Sequence, residues 1–144
     1  VKSNEKRHLI LFNKIKKILK NKIKNKKISF LGVTFKPNTD DMRESPSLKL
    51  IPKLNKIGAL ISYYDPTGKK TNFEKLKNVN YINKISLVCK NSDLVILHTE
   101  WNEFKNLNFK KLVLKKNFSI YDMRNVYSHK KMKEAGIKYF GVGR

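Results

Sequence analysis

Five short apolar runs constrain this chain more than any other feature: "KISFLGV" at 27–33, "ALISYYDP" at 59–66, "SDLVILHT" at 92–99, "FSIYDM" at 118–123 and "IKYFGVG" at 137–143. Each has the length of a strand. Several are apolar at consecutive rather than alternate positions, as expected of a strand buried on both faces. Helical patterns separate them. "SPSLKLIPKLNKIG" at 45–58 has apolar residues at helical spacing, with Pro46 suited to a first turn and Gly58 to a stop. Shorter helices are expected at 83–91 and 128–136, short helical pieces in "WNEFKNL" and "FKKLVLKK", and a polar loop over 67–80. Strands alternating with helices predict an α/β fold, an open parallel sheet with helices on both faces. One N-terminal helix precedes it over 4–24, where Leu9, Ile10, Phe12, Ile15, Ile18 and Leu19 recur near helical spacing. The division falls between a helix and connection at 1–26 and the α/β domain at 27–144. The last run is read as a strand or an extended tail. Pro52 falls inside a helical pattern, where a missing N–H predicts a kink or a later start.

Composition excludes several classes. At 144 residues and 40% hydrophobic, the chain has enough apolar material for one core. Its apolar runs are too short to span a bilayer. Cys89 is the only cysteine, so no internal disulfide is possible, which fits a reducing cytoplasm. The formal charge of +22 invites a nucleic-acid partner. Against it, the cations are almost all Lys, scattered among Asn and Ile, with arginine only at positions 7, 43, 124 and 144. Base-reading motifs are absent, and the lysines read as a solvated surface.

The chemistry collects where strands end. In open parallel sheets ligands bind beyond the carboxyl ends of the strands. There lie the loop "TFKPNTDDMRES" at 34–45, "YDP" at 64–66, "HTEW" at 98–101 and "DMRN" at 122–125. Lys36 suits a phosphate as a point charge, and Arg43 and Arg124 as planar forks. The helix start near Ser45 offers N–H groups and a positive dipole end. Asp40 and Asp41 are read as structural, capping the helix or ion-pairing with Arg43. His98, Thr99, Glu100 and Trp101 are read as a rim packing the loop, His8 and His129 as helical surface, and Cys89 as core. No metal-ligand spacing is present, and "GVGR" at the terminus has no following helix to make it a dinucleotide fingerprint.

In order along 27–144, "LGVTFKPNTDDMRESPSL", "YDP", "TEWNEF", "YDMRNVY" and "GVGR" resemble the C-terminal UDP-binding domain of the UDP-glucose/GDP-mannose dehydrogenase family, and in particular its UDP-glucose 6-dehydrogenase members. "NEKRHLILFNKI" is similar to the end of the family's central helix, through which it forms homodimers. The resemblance implies a Rossmann-like fold and an NAD-dependent, two-step oxidation of UDP-glucose to UDP-glucuronate. It implies that Phe35, Lys36 and Arg124 contact the UDP-sugar. Arg43 would reach NAD held mainly by another domain. That other domain would also carry the glycine fingerprint and the catalytic cysteine, so this chain alone is expected to be inactive. A start at Val1 rather than Met fits a missing upstream part. "TEWNEF" and "DMRN" favour UDP-glucose over GDP-mannose or a UDP-N-acetylhexosamine. A stand-alone nucleotide- or nucleic-acid-binding module is the alternative of another class. Pro52 and Met123 depart from the family pattern, which favours a good helix former at the first position and Gly at the second.

Overall fold

A computed structural model describes residues 2–143, with side chains from Glu5 onward. Helix α1 (Lys2–Ile18) leads into six strands: β1 (Lys27–Leu31), β2 (Leu60–Tyr64), β3 (Val79–Tyr81), β4 (Leu94–Leu97), β5 (Ser119–Asp122) and β6 (Lys138–Gly141). Four helices connect them: α2 (Ser47–Lys56), α3 (Ile85–Cys89), α4 (Phe109–Leu112) and α5 (His129–Glu134). All pairings are parallel, in the order β3-β2-β1-β4-β5-β6.

Strand periodicity divides the core in two. Along β4, Leu94 and Ile96 join the cluster under α1 and α2, whereas Val95 and Leu97 join the one under α3, α4 and α5. Ile15 of α1 and Leu50, Ile51 and Leu54 of α2 are buried against Ile28, Phe30 and Ile61. On the other face Cys89, Phe104, Phe109 and Met132 cover Leu31 and Ile120. The consecutive apolar residues of "LVIL" are thus explained by helices on both sides.

Three expectations need correction. The first helix ends at Ile18, not near residue 24. Lys20 turns left-handed (φ 54°), its N–H donating to Lys17 O and that of Asn21 to Lys16 O. This double closure stops the helix without glycine. Residues 67–80 are not all loop. Thr71–Phe73 form a 3-10 turn that buries Phe73 edge-on to Tyr63, and β3 adds a sheet edge. Three residues are too few for strand periodicity to show in sequence. Finally, α2 starts at Ser47 with Pro46 as its N-cap, and runs through Pro52 as one helix. Leu50, Ile51 and Leu54 anchor it on the sheet, and that burial offsets the lost hydrogen bond.

Candidate functional site

The chain leaves β1 and β4 in opposite directions across the sheet, so their carboxyl ends form the crevice where such sheets bind ligands. β1 is followed by Gly32, which is left-handed (φ 78°). A Cβ there would lie 2.7 Å from the Thr99 Cβ, so only glycine lets the β1 and β4 ends approach this closely.

The first three residues of the loop after Gly32 are each held from a different strand end. Asp65, fully buried beyond β2, accepts the Val33 N–H at 2.8 Å and the Thr67 N–H at 2.9 Å. Thr99, beyond β4, donates its hydroxyl to Thr34 O at 2.8 Å, and the Trp101 indole donates to the Thr34 hydroxyl at 3.3 Å. Ser45 and Ser47 each donate to Val33 O at 2.6 Å, tying the loop's return to its departure. Asp122, buried at the end of β5, accepts the N–H groups of Arg124 (3.1 Å) and Tyr127 (2.9 Å) and the Tyr139 hydroxyl (2.6 Å). The aspartates of "YDP" and "YDM" therefore build loops rather than meet a ligand.

Arg124 spans all this. Its Nε donates to His98 O at 3.0 Å and its Nη2 to Phe35 O at 2.9 Å. One guanidinium from the β5 end thus fastens the ends of β4 and β1. Arg124 also lines a cleft of about 310 Å3 together with Phe35, Lys36, Pro46 and Glu44, and with Arg7 and His8 from α1. With the loop backbone fixed, the Phe35 and Lys36 side chains stand exposed at its tip. Three cations, Arg7, Lys36 and Arg124, thus surround a cleft containing one carboxylate, Glu44. Strain accompanies this shape: Asn38 and Glu44 are left-handed, at φ 65° and 64°.

Not every expected residue joins the cleft. Arg43 lies outside it, forked onto Asp41 through Nε and Nη2, both at 3.1 Å, with its side chain 88% exposed. The hydrogen bonds from Arg43 hold the Asp41 carboxyl below its usual range. The structural reading of Asp41 is the correct one. The α2 start offers an anion little, contrary to expectation, because its first N–H groups are occupied. Those of Ser47 and Leu48 go to Ser45, and those of Lys49 and Leu50 to Pro46 O.

The two histidines near the cleft fare differently. His98 packs the loop as expected and is buried completely. The Thr99 hydroxyl spends its proton on Thr34 O, so the 2.8 Å contact to His98 has Nδ1–H as donor. Nε2 is then a bare acceptor, and it has no partner among the described residues. Burial first, then the Arg124 and Arg7 charges, push the His98 pKa down to about 3, so the ring is neutral. His8, expected on open surface, borders the cleft with its Nδ1 buried. Cys89 is core as expected. Burial pushes its thiol up to about 12, which leaves essentially no nucleophilic thiolate.

Sequence reasoning missed Arg7. The only available signal was that it is one of four arginines in a lysine-rich chain. A larger groove of about 760 Å3 between α1 and α2, with Leu9, Leu48, Leu50 and Pro52 in its wall, shares His8 with the cleft. Among the described residues no three His, Cys, Asp or Glu side chains cluster as metal ligands, and no helix is long and apolar enough to cross a membrane.

An all-parallel sheet of this order, with a cationic cleft where its winding reverses, defines a Rossmann-type nucleotide-binding domain. A sequence model described as the UDP-glucose/GDP-mannose dehydrogenase family, UDP binding domain, matches residues 29–129, and the chain belongs to that family. It is 36% identical to the UDP-glucose 6-dehydrogenase of Rickettsia conorii over 147 aligned residues, covering 99% of this chain and 34% of that protein. A UDP-glucose 6-dehydrogenase of Bacillus subtilis is 33% identical, with 100% and 32% covered. Among solved structures, a UDP-glucose dehydrogenase from Pyrobaculum islandicum superposes with a TM-score of 0.73 at 26% identity, over 96% of this chain and 30% of that one. An NDP-N-acetyl-D-galactosaminuronic acid dehydrogenase from Methanosarcina mazei gives 0.77 at 26%, over 96% and 29%. The chain spans about a third of the length of these relatives.

Proposed function

We propose that this chain supplies the UDP-sugar-binding wall of an NAD-dependent UDP-glucose 6-dehydrogenase, which oxidises UDP-glucose to UDP-glucuronate in two steps. The observation that carries this reading is the cationic cleft at the sheet's switch point, in a chain of this family. Lys36 meets the diphosphate as a point charge. Arg124 fixes the loops with one edge of its guanidinium and offers the ligand the other, and Phe35 gives the nucleotide-sugar an apolar contact. Residues 1–26 supply the end of a dimerising central helix and the connection after it, and 27–144 the binding domain. UDP-glucose is preferred to GDP-mannose or an N-acetylhexosamine nucleotide because the curated relatives at 33–36% identity are UDP-glucose enzymes. A cytoplasmic enzyme of sugar-acid biosynthesis fits a chain whose one cysteine is a free thiol.

The residues present do not build a dinucleotide site. No Gly-rich turn joins β1 to α2, the N–H groups at the α2 start are taken, and Arg43 alone would reach outward to NAD. We place the NAD cradle and the nucleophilic cysteine in the rest of the enzyme. With the Cys89 thiol buried and protonated, the chain by itself is expected to form no NADH from UDP-glucose and NAD.

Calorimetric titration with UDP tests the assignment. A charged hydrogen bond contributes about 1.5–3 kcal/mol, so Lys36→Ala should weaken UDP roughly tenfold to a hundredfold. Arg43→Ala should change it little. Loss of UDP binding in Arg43→Ala, with Lys36→Ala binding like the parent, would reverse the roles.

A further inference from the structure

Arg7 is a cleft residue that the binding-domain assignment leaves without a role. It lies in α1, twenty-eight positions before Phe35, and belongs to the helix rather than the sheet domain. It nevertheless lines the same cleft as Lys36 and Arg124. Its charge is felt inside the domain, where it acts with Arg124 to depress His98 and also acts on Tyr121 of β5.

The three arginines near this rim have different commitments. Arg43 is forked onto Asp41. Arg124 spends Nε and Nη2 on two backbone carbonyls and has Glu100 at 3.7 Å. The ion pairs among the described residues use Asp41, Glu5, Asp93 and Glu100, and none engages Arg7. With three cations and one carboxylate, Glu44, in its lining, the cleft carries a net positive charge, and repulsion among its cations is a cost. An anion accepting from several of them at once removes that cost. A diphosphate suits this arrangement because it carries charge on two adjacent groups, and a guanidinium can grip one of them bidentately.

We propose that Arg7 of α1 is a third cation of the diphosphate site, so the helix contributes directly to nucleotide binding instead of serving only as a spacer. The inference rests on the UDP-site reading above. It makes nucleotide binding sensitive to the seating of α1 on the sheet. That seating is fixed by Leu11, Phe12 and Ile15, one to two turns further along the helix. Phosphate occupancy and the packing of the helix thereby favour one another.

The test is titration of the 144-residue chain with UDP and with uridine, for the parent, Arg7→Gln and Arg7→Lys. Arg7 is exposed, so thermal unfolding should be unchanged in the variants and serves as a folding control. The inference expects Arg7→Gln to weaken UDP about five- to tenfold, Arg7→Lys to recover part of this, and uridine binding to stay level, because only the phosphates meet the guanidinium. Salt should weaken UDP binding less in Arg7→Gln than in the parent. If Arg7→Gln binds UDP as the parent does, or loses UDP and uridine equally, Arg7 is no phosphate ligand and the domain reading stands without it. If the parent itself binds no UDP, the site reading fails and the inference with it.

Discussion

Replacing Arg124 should destabilise the fold as well as the site, and the geometry sets the size of the effect. Its side chain is 21% exposed, and it donates to two carbonyls from different loops, His98 O at 3.0 Å and Phe35 O at 2.9 Å. Hydrogen bonds from a charged donor contribute roughly 1.5–3 kcal/mol when shielded, and surface interactions well under 1 kcal/mol. The His98 bond is partly buried and the Phe35 bond exposed. Taking about 1.5 kcal/mol for the first and about 0.5 for the second gives roughly 2 kcal/mol for Arg124→Ala. For 144 residues the unfolding entropy near the midpoint is roughly 0.3 kcal/mol/K, so Tm should fall by about 7 °C. Arg124→Lys should recover less than half, because an ammonium lacks the fork that reaches two carbonyls at once. Differential scanning calorimetry of the three proteins, with urea titrations to check the slope, measures this directly. An Ala variant within about 1 °C of the parent, or a Lys variant as stable as Arg, would refute the bracing role; the figures of roughly 1–7 °C follow from the same entropy scaling.

Other outcomes follow from the same contacts. Gly32→Ala should cost at least about 2 kcal/mol in urea unfolding, since the left-handed backbone is strained for alanine and the new methyl meets Thr99; a neutral result would contradict the close approach of β1 and β4. His98, depressed to about 3 in the fold, takes up a proton near pH 6.5 once unfolded, so the unfolded chain binds more protons. Its contribution is complete above about pH 6.5 and is lost as pH falls toward about 3, and His98→Gln should flatten the urea midpoint across that window. Cys89 should resist a thiol reagent in the native protein and react stoichiometrically in denaturant; fast native labelling would contradict its burial.

The alternation of strands and helices was legible because the strands are buried on both faces and so carry unbroken apolar runs, as β4 does. The strand ends that collect polar groups, and the places of Lys36 and Arg124 on the cleft, could be read from the order of elements alone. β3 could not, because three residues bearing one buried side chain leave no period to detect. The early end of α1 was hidden because Lys20 and Asn21, not glycine, take the left-handed turn. For the two candidate arginines the outcome was mixed: the pairing of Arg43 with the carboxylate two residues before it was legible from their closeness in sequence, whereas the threading of Arg124 between carbonyls of distant loops was not. Arg7 was missed because the sheet sets where a ligand lies, whereas the approach of a separate helix to that place depends on tertiary packing.

The central claim is that a nucleoside diphosphate binds where the ends of β1, β4 and β5 meet. Backbone amide chemical-shift mapping of the isotope-labelled chain titrated with UDP tests it most directly. The account predicts saturable shifts concentrated at residues 33–46, 98–101 and 122–126, with Lys36 and Arg124 among the largest, and little change along the groove between α1 and α2. Shifts spread over the lysine-rich surface, or centred on that groove with the three strand ends unmoved, would contradict it.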